Sequence, residues 1–412
     1  MRIGFVAFIS LFLAADALCW FVSFRFLRRQ RAMALSQWIC HAFFAFQTLY
    51  VLLMVGSLVL GTPMRRGPEW LPTPLLALAF VWHIVGLPFV CFGILLTGMV
   101  RWVIAVGRWI WRRFARPVAA EPGRTEAAAG EGQGGAVVSR RGFLAGSLAM
   151  IPPVLAAGAT GYALATNGHF RIRQIRLAVT GLPAGLQGFR IAQVSDLHVG
   201  HWATDAFLDH VTAATNALNA DVVLFTGDLI DLSVTALPRG IETARRWRAR
   251  HGMFMIEGNH DLIDDPQGFR NGIRASGLHF LHNSTFTIDH GGTPVQLLGT
   301  AWARGTQEMA QNVQHVASLR DGGAFPILLA HHPHSFDTAA AAGLPLTLSG
   351  HTHGGQLALM HGLSVGNLMY KYVSGIYQKP GATLVVSNGT GNWFPLRINA
   401  PAEIIEIELA RA

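Results

Sequence analysis

Residues 190–198 read RIAQVSDLH, a short apolar-rich run that ends in polar side chains. Runs of this kind, bounded by polar residues, are typical of a buried β-strand, so we expect a strand over Arg190–Val194. Asp196 and His198 follow it, two residues apart and therefore on the same side of an extended chain. Both side chains can reach one metal ion placed beyond the strand end.

The same pattern recurs four times further along the chain. β-type runs lead into Asp, Asn or His: Asp221–Phe225 before Asp228 and Asp231, Gly252–Ile256 before Asn259-His260-Asp261, Pro326–Ala330 before His331-His332-Pro333-His334, and Leu344–Leu348 before His351 and His353. Helical stretches such as Thr204–Leu218 and Pro238–Arg250 lie between the strands, which predicts a layered α/β domain. In such domains functional groups gather on loops beyond the strand ends.

The side chains collected there are oxygen and nitrogen ligands, which suit Mn²⁺, Fe or Zn²⁺. Cys19, Cys40 and Cys91 all precede this region, which excludes a thiolate site or a disulfide framework from residues 92–412. Five clusters supply enough ligands for two ions, with a carboxylate such as Asp228 between them. Two ions about 3.5–4 Å apart suit in-line displacement at phosphorus, in which a bridging water attacks and a nearby acid protonates the leaving group.

The ordered series Asp-x-His, Gly-Asp-x-x-Asp, Gly-Asn-His-Asp, a lone His and Gly-His-x-His resembles the calcineurin-like metallophosphoesterase superfamily. The blocks Ser195–His198 and Gly350–Gln356 and the closing tract Ser387–Pro401 are similar to its membrane-anchored bacterial branch. In that branch an N-terminal membrane segment or a twin-arginine leader precedes the enzyme. The resemblance implies an α/β fold of two mixed sheets flanked by helices, a four-layer α/β/β/α sandwich with its site at the strand ends.

The resemblance also implies a role for each matching residue. Asp196, His198 and His353 would hold the first metal, Asn259, His351 and a histidine near position 331 would hold the second, and Asp228 would bridge them. His260 would contact the phosphate and act as general acid, with Asp261 orienting its imidazole and Asp231 in a similar supporting role. His331 fits the family spacing better than His332, which stays open as an alternative. His201, near His198 in sequence, is a candidate for substrate contact.

The N-terminal part of the chain has a different character. Of 412 residues, 51% are hydrophobic and 13% charged, whereas soluble domains carry about 25% charged residues. Four apolar segments are long enough to cross a bilayer, which takes about 20 residues: Ile3–Phe24, Trp38–Leu60, Leu75–Val100 and Phe143–Ala165. We predict a membrane region over 1–116, a flexible linker over 117–138, a signal or anchor helix over 139–166 and the phosphoesterase domain over 167–412.

The charges divide in the same way. Residues 1–166 hold 15 arginines and five acidic residues, whereas residues 167–412 hold 17 basic and 18 acidic ones. The later region lacks the basic excess that binding to nucleic-acid phosphates needs, so we expect no nucleic-acid binding. Positive loops stay in the cytoplasm, and the arginines are concentrated in the first and third predicted loops. This predicts a multi-pass protein of the cytoplasmic membrane with residues 167–412 on the outer, periplasmic side.

Ser139-Arg140-Arg141-Gly142-Phe143-Leu144 resembles a twin-arginine export signal. The alternative is the ordinary positive flank of a membrane helix. Ala163-Leu164-Ala165 could be a signal-peptidase site, and an uncleaved anchor is equally compatible with this stretch.

The sequence thus predicts a membrane-tethered dimetal phosphoesterase that hydrolyses phosphate esters, phosphodiesters in particular. Two alternatives stay open. One is an enzyme for phospholipid or lipid-headgroup phosphates, which a tethered site lies close to. The other is a non-catalytic membrane sensor. The identity of the metals, the substrate, the choice between monoester and diester and the oligomeric state are not determined by the sequence.

Overall fold

The structure, a computed structural model, describes residues 2–27, 34–59, 71–114, 140–360 and 363–412. The chain divides into two compact units, Met1–Tyr162 and Ala163–Ala412. The predicted linker over 117–138 lies outside the described residues, as do Arg28, Arg29 and Arg31 of the first predicted loop.

The N-terminal part is helical. Its helices are α1 (Arg2–Leu27), α2 (Ala34–Val59), α3 (Thr73–Val81), α4 (Leu87–Phe114) and α5 (Arg140–Thr166), with a π-helical turn, Trp82–Gly86, between α3 and α4. Three stretches of the described residues are long and apolar enough to cross a membrane: Ala34–Val55, Thr73–Phe114 and Ala149–Thr166. They overlap three of the four predicted spans. The remaining one, Ile3–Phe24, lies in α1, where the side chains of residues 1–9 are outside those described.

A fully buried carboxylate, Asp16, connects α1 to the π-helical turn. Trp82 Nε1 donates to Asp16 Oδ1 (2.7 Å), and His83 Nε2 lies 3.0 Å from Asp16 Oδ2. A carboxylate among apolar helices is costly without such partners. Asp16 therefore faces other helices of its unit, where both of its oxygens find hydrogen-bond partners.

The second unit is built on two six-stranded mixed sheets. The strands of the first are β1 (Phe170–Val179), β2 (Arg190–Val194), β3 (Val222–Phe225), β4 (Met253–Met255), β5 (His279–Phe280) and β14 (Ala402–Arg411). Their spatial order is β1-β14-β2-β3-β4-β5. Strands β2 to β5 are mutually parallel, whereas β14 is antiparallel to β2.

The strands of the second sheet are β6 (Ser284–His290), β7 (Thr293–Gly299), β8 (Phe325–Leu329), β9 (Leu346–Ser349), β12 (Gly375–Lys379) and β13 (Ala382–Val386). Their order is β12-β13-β9-β8-β7-β6, and β7, β8, β9 and β13 run parallel. A short hairpin is formed by β10 (Ala358–Met360) and β11 (Leu363–Ser364).

One hydrophobic cluster draws on both sheets, and others join each sheet to helices. The first includes Ile191, Leu224 and Phe254 from one sheet and Leu297, Ile327 and Leu348 from the other. The helices of this unit are α6 (Asp205–Ala217), α7 (Leu237–Arg245), α8 (Pro266–Ser276), α9 (Thr306–Ser318) and α10 (Ser335–Ala341). Helices α6, α7 and α8 pack against the first sheet, and α9 and α10 against the second. The predicted mixed α/β architecture is confirmed for this unit.

All five predicted strands are present, and each begins within two residues of the expected position. The predicted helix Pro238–Arg250 ends earlier, at Arg245. The reason is Trp247, which is buried in the core and whose backbone N–H donates to Ala244 O (3.2 Å) in a tight turn. The need to bury this large ring turns the chain before the expected end.

Candidate metal centre

The predicted ligands lie on loops that follow five strands. Strands β2, β3 and β4 are parallel neighbours in the first sheet, and β8 and β9 are parallel neighbours in the second. The carboxyl ends of parallel strands meet at one edge of a sheet, so their loops come together. Backbone hydrogen bonds join these loops: Asp196 N donates to Gly227 O (2.9 Å), His198 N to Asp228 O (3.1 Å) and Gly350 N to His331 O (3.1 Å).

One group of donors consists of Asp196, His198 and His353, all buried. His198 Nε2 and His353 Nε2 are 3.0 Å apart, and His353 Nε2 lies 3.4 Å from Asp196 Oδ1. Ligand atoms that each lie about 2 Å from one ion are themselves about 3–4 Å apart. These three side chains therefore have the spacing of ligands to one cation.

A second group consists of Asp228, His331 and His351. His331 Nε2 lies 3.2 Å from Asp228 Oδ2 and 3.3 Å from His351 Nδ1. Asn259 adds its side-chain oxygen, 3.2 Å from His331 Nε2 and 2.7 Å from His351 Nδ1. These four side chains come from four different strand-end loops and converge on one point.

The Asp228 carboxylate lies between the two groups. Its Oδ2 is 3.2 Å from His331 Nε2 in the second group and 3.7 Å from His198 Nε2 in the first. The seven side chains predicted to bind metal are thus brought together in two adjoining groups. This is the arrangement that a bridging carboxylate requires.

The hydrogen bonds of His331 test whether the centre suits a cation. Its Nδ1 donates to the Thr226 carbonyl oxygen (2.7 Å), so in the neutral ring Nε2 carries a lone pair. That lone pair faces Asp228 Oδ2 and Asn259 Oδ1, each 3.2 Å away. Three electron-rich atoms at this distance need a positive charge among them. Burial alone disfavours the imidazolium, but the Asp228 carboxylate outweighs burial and raises the pKa of His331 to about 9. The residues present therefore fit a metal ion, which would replace this proton.

Five predicted ligands adopt the left-handed backbone conformation: Asp196 (φ 52°), His198 (φ 48°), Asp228 (φ 60°), His351 (φ 74°) and His353 (φ 50°). Residues other than glycine rarely do so, at a cost of about 1–2 kcal/mol each. Strain of this kind persists where the surrounding structure imposes it, and it clusters at functional sites. The direction of the side chains, more than backbone preference, determines the conformation of these loops.

Two glycines allow the loops to approach one another. A Cβ atom on Gly258 would lie 2.1 Å from Asp228 Oδ1, and one on Gly227 (φ 100°) would lie 2.6 Å from His331 Nδ1. Neither distance is possible for a side chain, so both positions require glycine. The glycines before Asp228 and Asn259 are explained by this close approach.

His260 lies beside the first group, and with His198 and Asp231 it forms a third cluster of possible donors, which shares His198 with the first group. Its Nδ1 is 3.0 Å from Asp231 Oδ1 and 2.9 Å from the Asp231 carbonyl oxygen, and its ring packs edge-on against His198 (4.6 Å between centroids). Burial lowers the pKa of His260, but the carboxylates of Asp228 and Asp231 outweigh this and raise it to about 9. The ring is consequently protonated at neutral pH, with Nδ1 engaged and Nε2 as the nitrogen that can release a proton.

The prediction that Asp261 orients the His260 ring is wrong. The buried Asp261 carboxylate instead accepts backbone N–H groups from Asp228 (3.0 Å), Ile230 (2.9 Å) and Gly258 (2.8 Å). It therefore fixes the loops after β3 and β4 to each other. Asp231 holds the His260 imidazole, because its side chain and its carbonyl group both reach Nδ1.

Two further candidates stand outside these groups. Among the described residues, neither His201 nor His332 belongs to a donor group. His201 is exposed, and its ring packs edge-on against Trp202 (4.9 Å). His332 Nδ1 accepts from the backbone N–H of His334 (3.1 Å). Burial and the neighbouring His334 and His331 lower the pKa of His332 to about 3. Of the two adjacent histidines, it is His331 that joins the second group.

The centre also contains residues that the sequence did not single out. The Trp302 ring lies 5.2 Å from His351 and 5.5 Å from His331, and the Trp393 ring lies 6.2 Å from His260. Tyr370 packs edge-on against His351 (5.4 Å). Trp302 and Trp393 follow strands β7 and β13, and that position was the signal that could have found them.

Arg397 is a further neighbour of the centre. Its Nη2 lies 2.8 Å from His353 Nδ1, and its hydrogen bonds go to Asn392 and to backbone carbonyl groups. The half-buried Arg397 thus joins His353 to the closing tract of the chain.

Comparison with known families agrees with this geometry. A family model described as calcineurin-like phosphoesterase matches residues 189–355. The matched interval contains the seven predicted ligands, His260 and Asp261. It begins one residue before β2 and ends just after His353, so it covers the five strand ends that form the centre.

Curated relatives match part of the chain as well. A transmembrane protein with metallophosphoesterase domain from Danio rerio is 32% identical over 257 residues, which are 59% of this chain and 58% of that protein. An uncharacterized metallophosphoesterase from Helicobacter pylori is 30% identical over 53% of this chain and 59% of its own length. The uncharacterized metallophosphoesterase YkuE from Bacillus subtilis is 30% identical over 279 residues, 65% of this chain and 96% of that protein. The chain therefore spans just under three fifths of the first two relatives.

Proposed function

This chain belongs to the calcineurin-like phosphoesterase family, and on that premise we propose that it is a membrane-tethered hydrolase of phosphate esters that uses two divalent metal ions. One observation carries the proposal. Donors from five strand ends form two adjoining groups with the Asp228 carboxylate between them. Donor groups that share a carboxylate suit a pair of cations better than a single ion.

In this proposal each residue has a defined task. Asp196, His198 and His353 hold one ion, Asn259, His331 and His351 hold the other, and Asp228 serves both. Oxygen and imidazole ligands are compatible with Mn²⁺, Fe and Zn²⁺. When bound, the ions would neutralise charge on the phosphoryl oxygens and lower the pKa of water.

His260 is the general acid of the proposed reaction. In the metal-free chain, Asp228 and Asp231 raise the pKa of this histidine to about 9, and bound cations would lower it from there toward neutral pH, which suits a general acid. Asp231 holds Nδ1 and leaves Nε2 to give its proton to the oxygen of the departing alcohol. Asp261 acts at a distance, by keeping the backbone of Asp228 and Gly258 in place.

Aromatic residues on two sides of the centre support a phosphodiester as the substrate. Trp393 lies beside His260, where the leaving group would depart, and Trp302 and Tyr370 lie beside His351. A diester carries two substituents on phosphorus. One would contact Trp393, and the other would contact Trp302 and Tyr370. His201, exposed next to Trp202, is proposed to contact the substrate.

The proposal places the protein in the cytoplasmic membrane, with three candidate spans among the described helices and an N-terminal span over Ile3–Phe24. The arginine-rich loops would lie inside and the four-layer sandwich of residues 167–412 outside. Residues 139–166 would serve as a twin-arginine leader or anchor, after the linker over 117–138. A lipid-linked phosphoester is an alternative substrate for such a site. No nucleic acid is expected as a partner.

The test is hydrolysis by the full chain in detergent, loaded with Mn²⁺, against a panel of phosphodiesters and phosphomonoesters. Asp228→Ala and Asn259→Ala should each lower kcat/KM on a diester by about 100-fold or more, which corresponds to about 2.7 kcal/mol. Asp209→Ala, which removes an exposed carboxylate paired with Arg246 (2.7 Å), is the matched control. Undiminished activity in Asp228→Ala would overturn the mechanism. Bound metal with no hydrolysis of any ester would favour the sensor function.

Orientation is tested separately. A reporter enzyme that is active only outside the cytoplasm, fused after Ala412, should be active. Activity of a cytoplasm-dependent reporter at the same position would reverse the proposed orientation, without bearing on the metal centre.

A further inference from the structure

A cavity of about 350 Å³ adjoins the metal centre. We call it the arginine cavity, after Arg171 and Arg173 in its lining. Gly354, which directly follows the donor His353, lines it on the side of the centre. Asn388 also lines it, and a Cβ atom on Gly354 would lie 2.7 Å from Asn388 Oδ1. The cavity and the donor His353 are thus neighbours along the chain.

The charge of this cavity is positive. Arg171 Nη2 lies 3.0 Å from Glu403 Oε2, and Arg173 Nη2 lies 3.0 Å from Glu403 Oε1. The Glu403 side chain is fully buried. Two guanidinium groups therefore share one carboxylate. The two guanidinium groups and the one carboxylate leave one net positive charge at the cavity, which suits an anionic group such as a phosphate.

Exposed apolar side chains accompany the cavity. Asn367 lines it, and the two residues that follow, Leu368 and Met369, are 88% and 69% exposed. Large apolar side chains grouped at the surface mark an interaction site. A basic cavity with apolar side chains around it is typical of surfaces that bind at a lipid interface.

The chain keeps this surface near a candidate membrane span. Helix α5 ends at Thr166, and Arg171 follows five residues later. Five extended residues reach at most about 18 Å. Arg171 therefore lies within about 18 Å of the end of this candidate span.

We propose that the face formed by the arginine cavity and the Leu368–Met369 loop docks onto an anionic phospholipid bilayer. Leu368 and Met369 enter the boundary of the acyl chains, and Arg171 and Arg173 bind the phosphate of an anionic lipid. Tyr370, next in the loop, packs against His351, so docking brings the metal centre to the headgroup plane. That the docked lipids include the substrate rests on the proposed function, whereas the docking does not.

The experiment uses the full chain with Leu368→Cys, labelled with a polarity-sensitive fluorophore and reconstituted in nanodiscs. The native cysteines precede residue 92, and the unlabelled-site background is measured on the parent chain. Leu319→Cys, on a side chain that is 44% exposed at the end of α9, is the matched control. Nanodiscs of phosphatidylcholine alone and of phosphatidylcholine with phosphatidylglycerol each carry a spin-labelled lipid as quencher.

We expect strong quenching at position 368 and little at 319 in the anionic nanodiscs, with loss of most of the quenching in phosphatidylcholine alone. Equal quenching at 368 and 319 would overturn the docking and would leave this face to a protein partner. Equal quenching at 368 in both lipid mixtures would overturn the assignment of an anionic lipid. None of these readings depends on catalysis.

A second variant, Leu368→Asp with Met369→Asp, tests the link to the substrate. It should lower hydrolysis of a phospholipid diester in nanodiscs roughly tenfold, with hydrolysis of a soluble diester unchanged. An equal fall on both substrates would overturn the link. If the parent chain hydrolyses neither diester while the quenching result holds, it is the proposed function that fails and the docking that stands.

Discussion

Replacing Asp231 with asparagine should weaken the proposed general acid in a measurable way. Asp231 Oδ1 lies 3.0 Å from His260 Nδ1, and with Asp228 it raises the pKa of His260 from 6.5 to about 9. A hydrogen bond to a charged group is worth about 1.5–3 kcal/mol, and about 1.36 kcal/mol corresponds to one pKa unit. The Asp231 carbonyl group, 2.9 Å from Nδ1, remains in the variant. We therefore expect the pKa of His260 to fall by about 1–2 units.

The sign of the effect follows from the role of His260. The protonated ring is the productive form, so kcat/KM falls as pH rises through the pKa of His260. In Asp231→Asn the alkaline limb should move to lower pH by about 1–2 units, with little change below about pH 6. Bound cations lower the pKa of His260 in both proteins, so the difference between the two profiles is the quantity to measure.

The assay compares two phosphodiesters that differ in the leaving group. An alkoxide needs a proton to depart, whereas p-nitrophenolate leaves without one, so only the alkyl ester should respond strongly to the substitution. Asp209→Asn, an exposed position paired with Arg246, is the control. An alkaline limb that stays in place in Asp231→Asn, or an equal loss on both esters at every pH, would refute the assignment of His260 as the acid.

Three further predictions concern the metal groups. His331→Ala should lower the metal content from about two ions per chain to about one, whereas His332→Ala should retain both ions. Elemental analysis of the purified chain measures the metal content. Loss of metal from His332→Ala but not from His331→Ala would contradict the structure. A Cβ atom at position 258 would lie 2.1 Å from Asp228 Oδ1. Gly258→Ala should therefore weaken Mn²⁺ binding about tenfold or more, with an unchanged circular dichroism spectrum. An unchanged Mn²⁺ affinity in titration calorimetry would argue against the close packing of the loops that contain Asp228 and Gly258. Because the pKa of His331 is raised to about 9, an ion must displace its proton below that pH. The apparent Mn²⁺ affinity should therefore rise about tenfold per pH unit up to about pH 9 and then level off. Calorimetry in buffers of different ionisation enthalpy measures the released proton, and a flat pH dependence would count against His331 as a ligand.

The seven predicted ligands illustrate how far local sequence carries the argument. Arg190–Val194 forms a strand with the expected bounds, and Asp196 and His198 follow it into the first donor group. Strand propensity, turn residues and ligand type are all local properties of the sequence. The nine residues 190–198 are therefore enough to predict them. Parallel strand order then brings three of these ends together in the first sheet and two in the second, and the packing of the two sheets joins the two sets.

The role of Asp261 illustrates where this reasoning stops. Adjacent in sequence to His260, it was expected to orient the imidazole, but its carboxylate points to the backbone of the neighbouring loop. Asp231, 29 positions before His260, makes the contact instead. Which of the two carboxylates reaches the ring depends on how the loops after β3 and β4 face each other. The residue spacing within either loop does not show how the two loops face each other.

The amino-acid sequence on its own determined the chemistry of this protein: oxygen and nitrogen donors in a fixed order at strand ends, no cysteine among them, and apolar segments before them. Only the tertiary structure decided which donors share a group, that Trp302, Trp393 and Arg397 surround them, and that a basic cavity with exposed apolar neighbours lies next to His353. The physical reason is that ligand type is a property of single residues. Contacts between loops arise from the register and packing of two sheets whose strands are far apart in the chain.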